Sequence, residues 1–491
     1  MRIKLAAFDN MNSGEEAIIA FSISKLQMIM KRIYTRFILV FTLLFALNTA
    51  PAAASIDPGL DSSLQHCIDS LRVYYQLKGI TAAAYIPHQG MWQGVTGVSY
   101  GAVPIDSDMI LNIGSITKTF IASEIFKLIE AGQLSLDDSI GALLPPVNNV
   151  PSGTKIRYLV GHRSGLAEYL NASWQNSVNT DPYRIWDAAD ALDTFLTGAP
   201  GVQGGGFAYR NTNYALLGMV IESLKGDSLH TVLRNDFLTA LSMNDTYMEV
   251  FEQYPNTIPH NWSTPTLDPQ LAWDAFSVPR IAASSSTEAA GGLFATASDL
   301  AWWGYNLYSG NVISDSSLSK MLTFYNVAGG YFNGYGLGCM RFPYNGRTYW
   351  GHAGNFFGFA ACMLYYPQDS ISVAVLINID CYGSNVAKPL INTIVENLTT
   401  SINKLDADRS FEIFPNPARN KFTIHNSQCT IDEIDIYNLV GRKVGSMHYA
   451  VGNEEPTIDI SNLSPGIYFV KVLTDPDSYL EGSSVQKLII Q

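Results

Sequence analysis

The chain has 491 residues, too many for one ordinary domain, and 47% of them are hydrophobic against 15% charged, which excludes disorder as its dominant state. Its 43 acidic and 30 basic residues leave a net charge of −13, excluding the basic surface that nucleic-acid binding requires. The five cysteines form no C-x-x-C pair and the eight histidines no H-x-H or H-E-x-x-H, which excludes a disulfide-dense miniprotein and a zinc ribbon and gives no case for a metal.

Lys31, Arg32 and Arg36 precede the apolar run Phe37–Leu47, and small residues follow it up to Ser55. A basic flank, a short apolar core and a small-residue exit predict a secretory signal peptide over residues 1–54, cleaved near Ala54. The run is shorter than the roughly 20 residues that a spanning helix needs. Basic flanks normally lie close to the start of a signal peptide, so translation is predicted to begin at Met28 or Met30. No other run reaches spanning length, so the mature chain is expected to be exported with no stable membrane span.

Tyr85–Gly101 reads as paired strands with glycine turns. Within it, Gly97–Gly101 spells G-x-S-x-G, but Ala102, Val103 and Pro104 follow in place of the helix that a nucleophile elbow requires. Ser99 is therefore read as a hairpin residue. Ile116, Phe120, Ile121 and Leu128 then recur at helical spacing, and Gly132 ends the pattern. Ser115 falls at the start of this helix and Lys118 one turn on, on the same face. A serine hydroxyl needs a base to become a nucleophile, and a desolvated lysine can serve as one. A helix start adds free N–H groups beside a developing oxyanion. By itself the pair is equally well explained as a serine N-cap and a chance lysine.

Two later segments add to it. Tyr209 and Asn211 lie two apart between Gly204-Gly-Gly206 and a helix expected from near Tyr214, so a phenol and an amide share one loop. His352, Gly354 and Asn355 lie on a predicted strand, followed by two more strands, Phe359–Tyr366 and Ile371–Asn378, of an antiparallel sheet. Gly354 would permit close approach of a substrate, and the N–H after it offers a second oxyanion donor. Arg341, on the preceding strand, is a candidate for binding a terminal carboxylate, or else an exposed edge residue. His162 is read as structural, and Trp302, Trp303, Tyr305, Tyr325 and Tyr331 as core and cleft wall. Cys362 and Cys381 do not match across their hairpin, so no bridge is expected between them.

In this order, S-x-x-K, Y-x-N and H-x-G resemble the serine β-lactamase and penicillin-recognising family, especially its D,D-carboxypeptidase and esterase branches. The resemblance spans residues 65 to 395 and includes Leu134–Ile140, Gly161–Leu166 and Ala289–Leu300. It implies an α/β (α+β) fold of the β-lactamase/transpeptidase type: a central antiparallel sheet with flanking helices, an inserted all-helical subdomain, and a cleft between them. By the same resemblance Ser115 is the acylated nucleophile, Lys118 and Tyr209 share base and acid work, and Asn211 aligns lysine and substrate. His352 faces the substrate, and the N–H groups of Ser115 and Asn355 form the oxyanion hole. No phosphate loop or dinucleotide fingerprint is present, and acyl transfer by this set needs no cofactor. The chain departs from the pattern at His352, where most members carry the lysine of K-T-G, and at Arg210, where a small residue is usual. A D-alanyl-peptide carboxypeptidase is the first expectation. An esterase or D-amino-acid amidase (D-aminopeptidase), then a β-lactamase, are the enzyme rivals, and a non-catalytic surface binding protein is the rival of another class.

After Leu405 the composition turns polar, and Phe414-Pro-Asn-Pro-Ala418 forms a rigid turn. Alternating runs at Phe422–Ile424, Ile434–Tyr437, Thr457–Ile460, Ile467–Val472 and Val485–Ile490 predict a small all-β sandwich. The turn, the Asp459–Val470 core and the closing Lys487–Gln491 resemble the C-terminal sorting domain of type IX secretion cargo. That resemblance implies a secretion machinery as partner, passage of an outer membrane, and a secreted or cell-surface location. The expected organisation is thus 1–54, 55–405 and 406–491.

Overall fold

The computed structural model describes residues 55–328, 330–407, 412–425, 431–438, 442–448, 456–474 and 483–490. The expected signal peptide and Cys429 lie outside the described residues. The centre is a nine-stranded antiparallel sheet of β1 (Gly79–Ile86), β2 (Gly90–Tyr100), β3 (Val103–Pro104), β4 (Tyr325–Asn326), β5 (Gly334–Tyr335), β6 (Met340–Tyr344), β7 (Arg347–Phe356), β8 (Phe359–Tyr366) and β9 (Ile371–Ile377). Their order is β3-β2-β1-β9-β8-β7-β6-β5-β4, which brings the first strand against the last at mid-sheet. Helices follow in chain order: α1 (Pro58–Tyr74), α2 (Thr117–Glu130), α3 (Ile156–Val160), α4 (Ala172–Thr180), α5 (Ala188–Phe195), α6 (Asn211–Lys225), α7 (Leu229–Leu233), α8 (Ile281–Gly291), α9 (Ala297–Tyr308), α10 (Asp315–Met321) and α11 (Gly383–Ala407).

Strands β8 and β9 are buried along their whole length, so alternate side chains enter two different cores. Ala361, Met363, Tyr365, Ala374 and Leu376 join α2 and α9 on one face. Ala360, Cys362, Leu364, Val373, Val375 and Ile377 join α1 and α11 on the other. Leu60, Leu64 and Ile68 make the single apolar stripe of α1, whose start is fixed by Pro58 and by Asp57 Oδ1 accepting from Leu60 N at 2.9 Å. In contrast α2 is buried nearly all round, as a helix packed among α6, α8 and α9 must be.

Two local expectations change. Helix α6 starts at Asn211, three residues before Tyr214, so the amide of the Y-x-N pair is the first helical residue. The boundary placed after Leu405 falls inside the last turn of α11. Ser99 is a buried strand residue whose Oγ accepts from His260 N at 2.8 Å and is followed by β3, with no helix behind it. Trp303 is core, whereas Tyr325 and Tyr331 are exposed. Cys67, Cys339, Cys362 and Cys381 carry free thiols.

The C-terminal segment holds two sheets. One has the order β10 (Glu412–Phe414), β11 (Lys421–His425) and β14 (Thr457–Asp459); the other runs β13 (Lys443–His448), β12 (Ile431–Asn438), β15 (Gly466–Thr474) and β16 (Ser483–Ile490). Ile413, Phe422, Ile424 and Ile458 of the first share one core with Ile434, Ile436, Val470, Val472 and Leu488 of the second. Buried residues alternate with more exposed ones along β10, β11 and β14, as a sandwich requires.

One partly buried charge cluster ties α2 to α6. Lys225 Nζ lies 2.8 Å from Glu124 Oε1 and 2.5 Å from Asp236 Oδ2, and Glu124 has no exposed surface. Burial raises the Glu124 pKa to about 7, the Lys225 hydrogen bond opposing it. A carboxyl raised in the folded state binds more protons there than in the unfolded chain between its ordinary value and about 7, so this group lowers stability as pH rises through that window. Glu124→Gln is therefore expected to stabilise the protein by about 2 kcal/mol at pH 8 and by almost nothing at pH 4, as measured by chemical denaturation at the two pH values.

Candidate active site

Ser115 lies in a single 3₁₀ turn, Gly114–Ile116, that leads into α2. Asn112 holds this turn: its Oδ1 accepts from Gly114 N at 2.6 Å and its Nδ2 donates to Gly291 O at 3.1 Å. The Leu111–Asn112 segment also pairs with Leu293–Ala295, which anchors the turn to the end of α8. Gly114 has φ +51°, a left-handed conformation that glycine adopts without strain.

Lys118 has no exposed surface. Its Nζ donates to Ser115 Oγ at 2.9 Å, Asn211 Oδ1 at 2.9 Å and Ala290 O at 2.5 Å. Burial lowers its pKa to about 7, with the Glu168 carboxylate pushing the other way. The two carbonyl oxygens can only accept. A neutral Lys118 therefore keeps its two N–H bonds on them and turns its lone pair to the Ser115 hydroxyl, the arrangement of a general base and a nucleophile. Tyr209 places its ring centroid 5.1 Å from Lys118 Nζ. Burial holds its phenol well above the usual range, although the Ser115 hydroxyl draws it down, so it remains a proton donor.

His162, expected to be structural, is fully buried with its ring 4.1 Å from that of Tyr209. Its Nδ1 faces Arg210 N at 3.2 Å and Asn213 Nδ2 at 3.0 Å, two donors that fix it as an acceptor. Arg210 Nη1 donates to Tyr209 O at 2.9 Å.

His352 is also fully buried. Its Nδ1 is 2.7 Å from Ala353 O, so Nδ1 carries the proton and Nε2 accepts from Tyr335 Oη at 3.2 Å. Burial, then the Lys118 charge, lowers its pKa to about 3, and the ring is neutral at physiological pH. Both nitrogens are thus engaged within the protein. Gly354 packs against the Ser115 turn: a Cβ there would stand 1.9 Å from Ile113 O and 3.1 Å from Ser115 N. The close approach it permits is that of the protein's own backbone. A Cβ at Gly114 would likewise come to 2.6 Å from Asn355 N, so the two candidate oxyanion donors belong to segments in direct contact. Asn355 Nδ2 donates to Asp380 O at 2.5 Å.

Arg341 stands apart from this group. Its Nε donates to Asn333 Oδ1 at 2.8 Å and its Nη2 to Asn326 Oδ1 at 2.9 Å. A cavity of about 720 Å³ adjoins the end of β7, lined by Phe357 and Asp380 together with Val178, Trp273 and Val278. Three residues that sequence reasoning passed over complete the site: Asn112, Tyr335 and Glu168. Glu168 Oε2 accepts from Asn211 N at 2.7 Å and Asn211 Nδ2 at 3.2 Å. Their only sequence signal is proximity to a motif, since Asn112 lies three residues before Ser115 and Glu168 two after Leu166 of the Gly161–Leu166 segment. Among the described residues no group of three or more His, Cys, Asp or Glu side chains is arranged to hold a metal ion.

Residues 64–389 match the Beta-lactamase family. The chain belongs to the beta-lactamase family. Residues 412–491 match the secretion system C-terminal sorting domain, which marks this family member for export to the cell surface or secretion. Penicillin-binding protein 4 of Amycolatopsis lactamdurans is 25% identical over 380 residues, covering 72% of this chain and 92% of that protein. Penicillin-binding protein 4* of Bacillus subtilis is 25% identical over 291 residues, and the match covers 56% of this chain and 62%, under two thirds, of that relative's length. In fold, the chain is similar to the D-amino acid amidase of Ochrobactrum anthropi SV3, with a TM-score of 0.61 at 22% identity over 70% of this chain and 99% of that one. Beta-lactamase family members of this fold are generally serine hydrolases.

The packing at Gly354 gives a direct test. Gly354→Ala forces a methyl group against Ile113 O and is expected to destabilise the protein by about 2 kcal/mol or more and to displace the Ser115 turn. A thermal melt compared with that of Gly153→Ala, where a Cβ meets nothing within 4 Å and the backbone is not left-handed, checks it.

Proposed function

We propose that the chain is a secreted serine hydrolase that cleaves a peptide, amide or ester bond through an acyl-enzyme on Ser115. The observation that carries this reading is Lys118 Nζ held 2.9 Å from Ser115 Oγ by two acceptors that leave its lone pair for the hydroxyl proton. Lys118 takes that proton as Ser115 Oγ attacks the acyl carbon. The Ser115 and Asn355 N–H groups receive the oxyanion, and Tyr209 or Lys118 returns a proton to the leaving group. Water then attacks the acyl-enzyme by the same route in reverse. Residues 1–54 act as the export signal, 55–405 as the hydrolase and 406–491 as the sorting segment through which the secretion machinery is met.

The substrate reading turns on charge. A D-alanyl-peptide carboxypeptidase and a β-lactamase both bind a substrate carboxylate, and the two residues that the sequence offers for it are His352 and Arg341. His352 is neutral with both nitrogens bonded, and Arg341 is tied through Nε and Nη2 to Asn333 and Asn326. This favours esters and amides without a terminal carboxylate, among them D-amino acid amides, as the substrate class. The fold similarity to a D-amino acid amidase is consistent with that choice and is too distant to select it.

Intact-mass analysis after exposure to a fluorophosphonate is expected to find one adduct, on Ser115, and none in Ser115→Ala, whose ester turnover should fall by about a thousandfold or more. Modification elsewhere, or an active Ser115→Ala, overturns the assignment. Because Lys118 must be neutral to act, kcat/KM for a neutral ester is expected to rise through about pH 7 and level off above it. A D-amino acid p-nitroanilide is expected to outrun a D-alanyl-D-alanine peptide, and the reverse order restores the carboxypeptidase reading.

A further inference from the structure

Glu168 follows α3 on the loop that runs beneath the start of α6, and nothing in the motif pattern assigns it a role. It is bound to that start along three residues. Thr212 Oγ1 donates to Ala167 O at 2.7 Å and accepts from Tyr169 N at 3.1 Å. Between these contacts Glu168 Oε2 takes the Asn211 N–H at 2.7 Å and the Asn211 amide Nδ2 at 3.2 Å, and Oε1 takes Leu170 N at 3.1 Å.

An amide side chain can sit either way round, and the carboxylate removes that freedom. Glu168 accepts only, so the NH₂ of Asn211 must face it and the Oδ1 must face Lys118. Were the amide reversed, its NH₂ would meet the Lys118 donors and its oxygen would meet the carboxylate, two repulsive contacts at once. The negative charge also lies at the first turn of a fifteen-residue helix, where it is favoured by the helix dipole.

We propose that Glu168 is a positioning residue for the Ser115–Lys118 pair, fixing the Asn211 amide and supplying the negative charge that keeps Lys118 able to hold the proton it takes. This rests on the serine hydrolase reading above for its consequence in turnover, and on geometry alone for its effect on Lys118. The other groups facing Lys118 carry no opposing charge. Tyr209 and Tyr214 have pKa values raised by burial and stay neutral phenols, with ring centroids 5.1 and 5.5 Å from Nζ. His162 and His352 are pushed down by burial and by Lys118 itself, so both stay neutral. Ser115, Asn211 and Ala290 contribute only uncharged oxygens. The field of Glu168 opposes the desolvation of the ammonium. A residue acting only as a tether for the loop would affect stability and leave the proton on Lys118 unchanged.

The test is the Lys118 titration in the full chain labelled with ¹³C at lysine Cε, the signal being assigned by its loss in Lys118→Arg. Glu168→Gln removes the charge and leaves one accepting oxygen for two sets of donors, those of Asn211 and that of Leu170. The Lys118 midpoint is expected to drop by about one pH unit from its wild-type value near 7. Glu168→Asp, which keeps the charge and withdraws it by one methylene, is expected to lie between the two and serves if Glu168→Gln does not fold. Thr212→Val cuts the same loop from α6 without touching the charge; it should lower the melting temperature and leave the midpoint in place. In parallel, fluorophosphonate labelling of Ser115 in Glu168→Gln should slow about tenfold at pH 8, with its acid limb moved to lower pH. An unchanged midpoint in both Glu168 variants, or an equal shift in Thr212→Val, overturns the proposal. Absence of Ser115 labelling in the wild type overturns the hydrolase reading instead, and leaves the titration to decide the role of Glu168.

Discussion

Everything in this site depends on one buried amine. Lys118 has no contact with water, and a charge placed there without partners would cost several kcal/mol. Three oxygens from three parts of the chain meet the cost: Ser115 from the turn before α2, Asn211 from the first residue of α6, and Ala290 from the last turn of α8. Each of those positions is then constrained in turn. Asn112 holds the Ser115 turn to the end of α8, and Glu168 holds Asn211 to the loop behind it. Desolvation lowers the lysine toward neutrality, as the base role proposed for it requires, and the same oxygens keep the fold from rejecting it.

What the sequence made legible follows from distance along the chain. Ser115 and Lys118 are one turn apart on one helix, so apolar periodicity alone places them together. Five of the seven described strands of the C-terminal segment were readable for the same reason, since alternation over three to six residues is a local signal, whereas β10 and β13 were missed. Glu168 and Tyr335 were not legible. Glu168 meets Asn211 across 43 residues and Tyr335 meets His352 across 17, and no periodicity joins them. The start of α6 was missed because Asn211 heads the helix without a side-chain cap before it, while the apolar pattern begins only at Tyr214.

Gly354 illustrates a different limit. Sequence reasoning attached the glycine to the substrate, because a glycine beside a candidate site invites that reading. The structure gives the space to Ile113 O and the Ser115 turn. The requirement for glycine is no weaker, but it arises from packing two backbone segments that each carry a candidate oxyanion donor. A glycine can therefore serve the chemistry without facing the substrate, by letting the donors approach one another.

The replacement of a lysine by His352 has a consequence beyond the loss of a charge for substrate. In the K-T-G arrangement a second ammonium would lie close to Lys118, and like charges in a dry site depress each other. A neutral imidazole removes that repulsion. The depression of Lys118 then comes from burial, with the Glu168 charge opposing it. His162 and His352 bear the other side of this balance, since the Lys118 charge adds to burial in keeping both rings unprotonated. Neither ring adds a second buried cation beside Lys118, so in the proposed mechanism the proton that moves near pH 7 is the one exchanged between Ser115 and Lys118. With no fixed positive charge at His352, the proposed preference for esters and amides without a terminal carboxylate follows from the same neutral ring that relieves Lys118.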